Sequence, residues 1–168
     1  TSRMRPEDIV PLAFDGTHPV GLKPSSEWRF HRDILAARPE MGAVVHAHPI
    51  HCTAFALCGR QIPAVHYMIA AFGGPNVRCA PYAPYGTAEL SELALVALKD
   101  RNVCLLANHG MIAAGERLEK ALWLAVELET LCWQYAVALQ VGAPNILSDH
   151  EIDSTVERFR GYGLNAAE

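Results

Sequence analysis

The stretch GAVVHAHPIHCTAFALCG, residues 42–59, carries the clearest change of structure in the chain. Gly42 to His48 is a short apolar run rich in valine and alanine, bounded by Gly42 and Pro49, and it reads as a buried strand. Pro49 suits the first position of a helix, where its missing N–H is no loss, and that helix closes at Gly59. Upstream, Asp8 to Phe14 (DIVPLAF) reads as a strand leading to a turn at Asp15-Gly16. Pro24-Ser25-Ser26 then opens a helix to about Arg38, with a serine as N-cap, Trp28, Ile34 and Leu35 on one apolar face, and Pro39 as the stop.

Downstream, Val77 to Ala83 reads as a further strand, and Thr87 to Lys99 as a helix with Leu90, Leu93, Ala94 and Leu98 on one side. Asn102 to Ala107 is an apolar strand, and Met111 to Ala114 continues past His109-Gly110. The period of Leu118, Leu122, Ala125, Leu128, Leu131, Cys132 and Tyr135 predicts a long helix over Arg117 to Val141. Ser148-Asp149-His150-Glu151 has the spacing of a capping box and opens a last helix that closes at Gly161. Strands and helices mix without regular alternation, which predicts a layered α/β or α+β fold.

With 168 residues, 51% of them apolar and 19% charged, the chain has the length and composition of one globular domain. Fourteen Lys+Arg against 18 Asp+Glu give a net charge of −4 without a basic run, which argues against a nucleic-acid partner. The longest greasy stretch, Ala121 to Val141, carries Glu127 and Glu129, so no membrane span is expected. TSRMRPEDIV at the start has no signal-peptide core. Five cysteines, an odd number without a C-x-x-C pair, read as buried reduced thiols of a cytoplasmic protein.

Eight histidines are the unusual feature. In a strand, residues i and i+2 point the same way, so His46 and His48 form either a chelating pair or two imidazoles hydrogen-bonded to backbone. His109 ends a second apolar strand in the same manner. Three histidines at strand ends with a position left open is the pattern of a catalytic zinc site. Glu27 lies in the first turn of its helix, where a carboxylate can serve the helix dipole or chemistry. Ser25 and Ser26 can be caps or, with the free N–H groups there, an anion site. His31 lies one turn from Glu27, while His51 reads as a helix-surface residue and His18 and His150 as solvated ones.

Five ordered segments resemble the class II aldolase/adducin family: PSSEWRFH at 24–31, VVHAHPIHCTAFA at 44–56, IPAVHYMIAAFGG at 62–74, CAPYAPYGTAELSE at 79–92 and LLANHGMIAAG at 105–115. The resemblance implies a single domain with a central, mostly antiparallel sheet flanked by helices. It implies zinc held by His46, His48, His109 and Glu27, with Glu27 turning to proton transfer once substrate displaces it. It also implies phosphate binding by Ser25 and Ser26, Tyr67 as the acid near the aldehyde oxygen, and Tyr162 on a C-terminal tail closing over the site. The expected reaction is cleavage of L-fuculose 1-phosphate, or a close ketose 1-phosphate, to dihydroxyacetone phosphate and L-lactaldehyde through a zinc-stabilised enediolate. The expected assembly is a homotetramer with active sites between subunits.

The alternatives within the resemblance are a sibling phosphosugar epimerase or decarboxylase and a non-catalytic adducin-like oligomerisation module. Family epimerases carry Asp where Glu27 stands and an acid-bearing segment in place of HYMIAAFGG, and the scaffold members are expected to lack the histidines. Two departures stand out. The family begins with further residues that complete the phosphate site, so residues 1–168 are expected to lack the family's N-terminal segment. Tyr85 stands where relatives carry Phe, which bears on aldehyde preference.

Overall fold

In a computed structural model, which describes residues 4–159, the strand of the quoted stretch is β1 (Ala43–Ala47) and the helix after it is α2 (Ile50–Leu57), with Pro49 as its N-cap. Around them lie α1 (Trp28–Ala37), β2 (Cys79–Ala80), α3 (Ala88–Ala97), β3 (Val103–Leu106), β4 (Gly110–Gly115), α4 (Leu118–Val141) and α5 (Asp149–Phe159). Two 3-10 helices, Pro6–Asp8 and Tyr67–Phe72, complete the described elements.

The strands form one mixed sheet in the order β1-β4-β3-β2. β1 and β3 both run antiparallel to β4, and β2 runs parallel to β3. Val103, Leu105, Met111 and Ala113 face one layer, with Cys52, Phe55, Leu124 and Leu128 of α2 and α4. Their neighbours Cys104, Leu106, Ile112 and Ala114 face the other, with Phe30, Ile34, Leu90 and Leu98 around α1 and α3. Period-two alternation with both faces covered explains why β3 and β4 are apolar at nearly every position. Because His46 pairs with Ile112, it points to the α1 side, and its ring meets Phe30 with centroids 5.1 Å apart.

Three expectations are corrected by the packing. DIVPLAF forms no strand: Pro11 lacks an N–H and the segment pairs with no described strand, although the turn is real, Thr17 donating its N–H to Asp15 Oδ1 at 2.9 Å. The strand at 77–83 shrinks to Cys79–Ala80, Pro81 lacking the N–H that would extend the ladder, while Val77 makes an isolated bridge to Ile62. Leu118 and Leu122 lie off the buried face of α4, which is built from Ala121, Leu124, Ala125, Leu128, Leu131, Cys132 and Tyr135.

At α1, Phe30 and Ile34 make the buried face, whereas Trp28 and Leu35 are only half-buried. All five cysteines are free, but Cys58 is exposed, outside the buried set expected of them. The capping box at α5 forms as its spacing predicts: Ser148 N donates to Glu151 Oε2 at 2.8 Å, and Glu151 N to Ser148 Oγ at 3.3 Å. Gly161 lies outside the described residues. Among those described, no helix is long and apolar enough to cross a membrane.

Candidate metal centre

Glu27 occupies the N-cap position of α1, but its carboxylate does not cap the helix. It reaches across to β1 and the β3–β4 turn instead, with Oε2 2.9 Å from His46 Nε2 and Oε1 3.1 Å from His109 Nε2. His48 Nε2 lies 2.9 Å from His46 Nε2, and one ligand atom from each of the four residues falls within 4.8 Å of all the others. The structure thus brings together Glu27, His46, His48 and His109.

Local chemistry dictates these placements. His46 Nδ1 donates to the Met111 carbonyl at 2.8 Å, which leaves Nε2 as the lone pair facing the cluster. Burial pushes the His46 imidazole below the ordinary histidine range, against the upward pull of its bond to Met111 and of Glu27, which favours the neutral, ligating form. Asn108 takes a left-handed conformation, φ 56°, and its N–H bonds the Ala56 carbonyl at 3.0 Å, tying the turn that carries His109 to the end of α2. Gly110 lets β1 come close, since a Cβ there would lie 2.5 Å from Ala47 O and from His48 Cδ2.

The donor set fits a divalent cation. Imidazole lone pairs and a carboxylate face one another across hydrogen-bonding distances, an arrangement that repels unless positive charge lies between them. Glu27 Oε1 is buried and makes no hydrogen bond, because its 3.1 Å approach to His109 is not aligned for one. Three nitrogens and one carboxylate oxygen make a ligand set of the kind that divalent zinc accepts.

The cluster opens into a cavity of about 360 Å³ lined by Ser26, Glu27, His48, Tyr82, Ala83, Tyr85, Asn108 and His109. Ser25 and Ser26 form the exposed turn before α1, where Ser25 Oγ accepts the Glu27 N–H at 3.3 Å rather than capping the helix. Gly86, φ 75°, packs on this turn, and a Cβ there would meet Ser26 O at 2.7 Å. Tyr82 and Tyr85 are both mostly exposed at the cavity.

Tyr67 is not brought to the histidines within one chain. It begins the second 3-10 helix, stacks on Phe159 with centroids 6.3 Å apart, and lines a separate cavity with Thr155, Arg158 and Phe159. Tyr162 lies outside the described residues. His31 is half-buried and packs on Phe30. His51, expected on the helix surface, is instead paired through Nδ1 with Glu129 Oε1 at 2.7 Å and stacked on Trp133. Asn108 and Gly110 were not foreseen as builders of the site; the Asn-His-Gly order between two apolar runs was the available sign.

The family model described as the class II aldolase and adducin N-terminal domain matches residues 1–136. The chain belongs to the class II aldolase/adducin family and is a class II aldolase, a lyase of a metal-dependent class. It is 52% identical over 163 residues to a 5-methylthioribulose-1-phosphate/5-deoxyribulose-1-phosphate aldolase of Rhodospirillum rubrum, covering 97% of this chain and 74% of that protein. It is 51% identical over 161 residues to the L-fuculose phosphate aldolase of Escherichia coli K12, covering 95% and 75%. The solved structure of an L-fuculose 1-phosphate aldolase superposes with a TM-score of 0.90 at 37% identity, covering 95% of this chain and 75% of that one.

Proposed function

We propose that this protein is a zinc-dependent aldolase that cleaves a ketose 1-phosphate, L-fuculose 1-phosphate first among them, to dihydroxyacetone phosphate and an aldehyde, L-lactaldehyde in that case. The observation that carries the reading is the convergence of Glu27, His46, His48 and His109, with Glu27 Oε1 left buried and unbonded. Bond cleavage beside a ketone leaves charge delocalised as an enediolate, and a divalent ion held by these four residues supplies the Lewis acid for it.

The chain's own residues supply the rest. Glu27, freed from the cluster when substrate enters, delivers a proton to the enediolate carbon on cleavage and removes it in synthesis. Its carboxylate is aimed by the N-cap backbone of α1, so it can move without disturbing the helix. Ser25, Ser26 and the N–H groups at the start of α1 take the phosphate, so binding energy remote from the reacting bond orients that bond. Tyr67 serves the aldehyde-side oxygen from a neighbouring copy of the chain, since within one chain it lines a different cavity. Tyr162 closes over the site. The proposed assembly is a homotetramer, and its support here is the exposed apolar stripe of Leu118, Leu122, Val126, Trp133, Val137 and Val141 along α4.

A second substrate is favoured by the 52% identity to the R. rubrum enzyme. A 5-deoxyribulose 1-phosphate would give the same dihydroxyacetone phosphate and a shorter aldehyde, so the two readings differ only in what the cavity beside Tyr82 and Tyr85 must hold. Purified protein incubated with each ketose 1-phosphate, with and without chelator, tests both through coupled reduction of dihydroxyacetone phosphate. Release that stops with chelator and returns with zinc supports the reading, and the faster ketose identifies the substrate. No release of dihydroxyacetone phosphate from zinc-loaded protein with either ketose refutes it.

A further inference from the structure

Of the four clustered residues, His48 alone is exposed. His46 is fixed by Met111 and Glu27 by its place at α1, but His48 is exposed, and its only hydrogen-bonding contact among the described residues is His46 Nε2. Its position therefore depends on the backbone that carries it, and that backbone runs at once through Pro49 into α2.

The start of α2 has an unusual cap. Pro49 sits at N-cap and has no side-chain acceptor for the free N–H groups that follow. Glu129 on α4, 78 positions from His51, supplies it: its carboxylate accepts the His51 N–H at 3.0 and 3.1 Å and the Cys52 N–H at 2.9 Å. The same carboxylate pairs with His51 Nδ1 at 2.7 Å, and the His51 ring stacks on Trp133, one turn further along α4, at 5.5 Å and 19°. Burial pushes the Glu129 carboxylate up, but the hydrogen bonds from His51 and Cys52 outweigh it and hold the group below the ordinary carboxylate range.

We propose that Glu129 is a positioning residue for the metal centre: by capping α2 from α4 it fixes the Ala47–Pro49 backbone, and so the place of the His48 ring. This rests on the reading that the four clustered residues hold a divalent ion. Glu129 is neither one of the four clustered residues nor part of the cavity lining; it flanks the buried face by which α4 packs against the sheet, and through it that rigid frame reaches the end of β1. Partners that orient metal ligands at one remove change metal affinity by about 10- to 100-fold, and the three-residue separation from His48 places this case at the lower end.

The test measures zinc affinity by competition with a chromophoric chelator, and the absorption spectrum of the cobalt-substituted protein, in the parent, Glu129→Ala and Glu129→Gln. Ile152→Val, a truncation in the buried face of α5 away from the cluster, serves as the control for lost stability alone. The expected result is an affinity loss of about tenfold with a changed cobalt spectrum in Glu129→Ala. Glu129→Gln, which keeps an acceptor for the two backbone N–H groups, should recover part of the loss, and Ile152→Val should show neither change. If Glu129→Ala is too unstable to purify, Glu129→Gln decides alone. Parental affinity and spectrum in the Glu129 variants, with only the apo melting temperature lowered, would reduce Glu129 to a helix cap and overturn the proposal. A parent that binds no metal would instead overturn the reading of the four clustered residues, which separates the two failures.

Discussion

Gly110→Ala probes the closeness of β1 and β4 at the metal centre. The new methyl carbon would lie 2.5 Å from Ala47 O and 2.5 Å from His48 Cδ2. Carbon–oxygen contacts settle at about 3.3 Å or more, so the strands must part by about 0.8 Å. The oxygen is main chain and cannot rotate away, and the neighbouring Ala47–Met111 pair holds it in register. Overpacking of this kind costs about 1–3 kcal/mol. At about 2–4 °C per kcal/mol for a chain of this length, the apo protein should melt about 2–12 °C lower. The larger effect should be chemical: the shift separates His48 from the adjacent His109, and a misplacement near 1 Å costs about a hundredfold in rate. Thermal unfolding by circular dichroism, zinc competition and the coupled cleavage assay read the three quantities. A variant with parental melting temperature, zinc affinity and rate would show that the strands do not approach as described.

Four further outcomes are expected. Glu27→Gln should retain metal through the three histidines yet lose about 10²–10⁴ in turnover, and full turnover would remove Glu27 from proton transfer. His109→Ala should lose its metal on dialysis, and stoichiometric metal after dialysis would sink its assignment as a ligand. His31 is held below the ordinary histidine range by burial, against the upward pull of Glu27 and of the Val44 backbone. The unfolded chain therefore takes up the proton first, so stability should fall as pH drops through about 6.5 and go on falling to the lower folded-state value. His31→Gln should flatten that acid limb, and identical limbs in urea titrations would contradict it. Trp133→Glu, on the exposed stripe of α4, should lower the mass in sedimentation equilibrium, and an unchanged mass would free that stripe of any role in assembly.

The sequence is most informative where a local pattern has a single physical outcome. β3 and β4 are legible because both faces of the hairpin are buried, which leaves no polar position to blur the run. Period two places His46 and His48 on one face but leaves open whether they chelate or bond to backbone, and α3 is legible from the period of Leu90, Ala94 and Leu98, its Thr87 cap, with Oγ1 accepting the Leu90 N–H at 3.2 Å, showing only in the fold. What stays hidden depends on partners distant in the chain. DIVPLAF has the composition of a strand and pairs with no strand among the described residues. His51 looks like a surface residue until Glu129 reaches it from α4. Glu27 carries the residue type and the helix-start position of a simple dipole partner, and only the folded chain shows its carboxylate turned away from its helix toward three imidazoles. The place of Tyr67 was not in the residues at all; it came with the family resemblance, and within one chain its ring lines another cavity.

Among the described residues β1 stands at one end of the sheet order, bonded to β4. Marginal strands are the first part of a sheet to peel open in the native state, at a small fraction of the free energy of global unfolding. Peeling here would carry His46 and His48 away while His109 remains at the end of β3 and Glu27 at the start of α1. For an ion held by the four residues, loss of the ion and fraying of the strand would be one event seen from two sides, and whatever binds the closed form alone suppresses the opening in proportion to its saturation. The breathing of five residues, Ala43–Ala47, read by amide hydrogen exchange, becomes a gauge of occupancy, while the amides of Leu105 and Ile112 in the interior report only the unfolding of the whole.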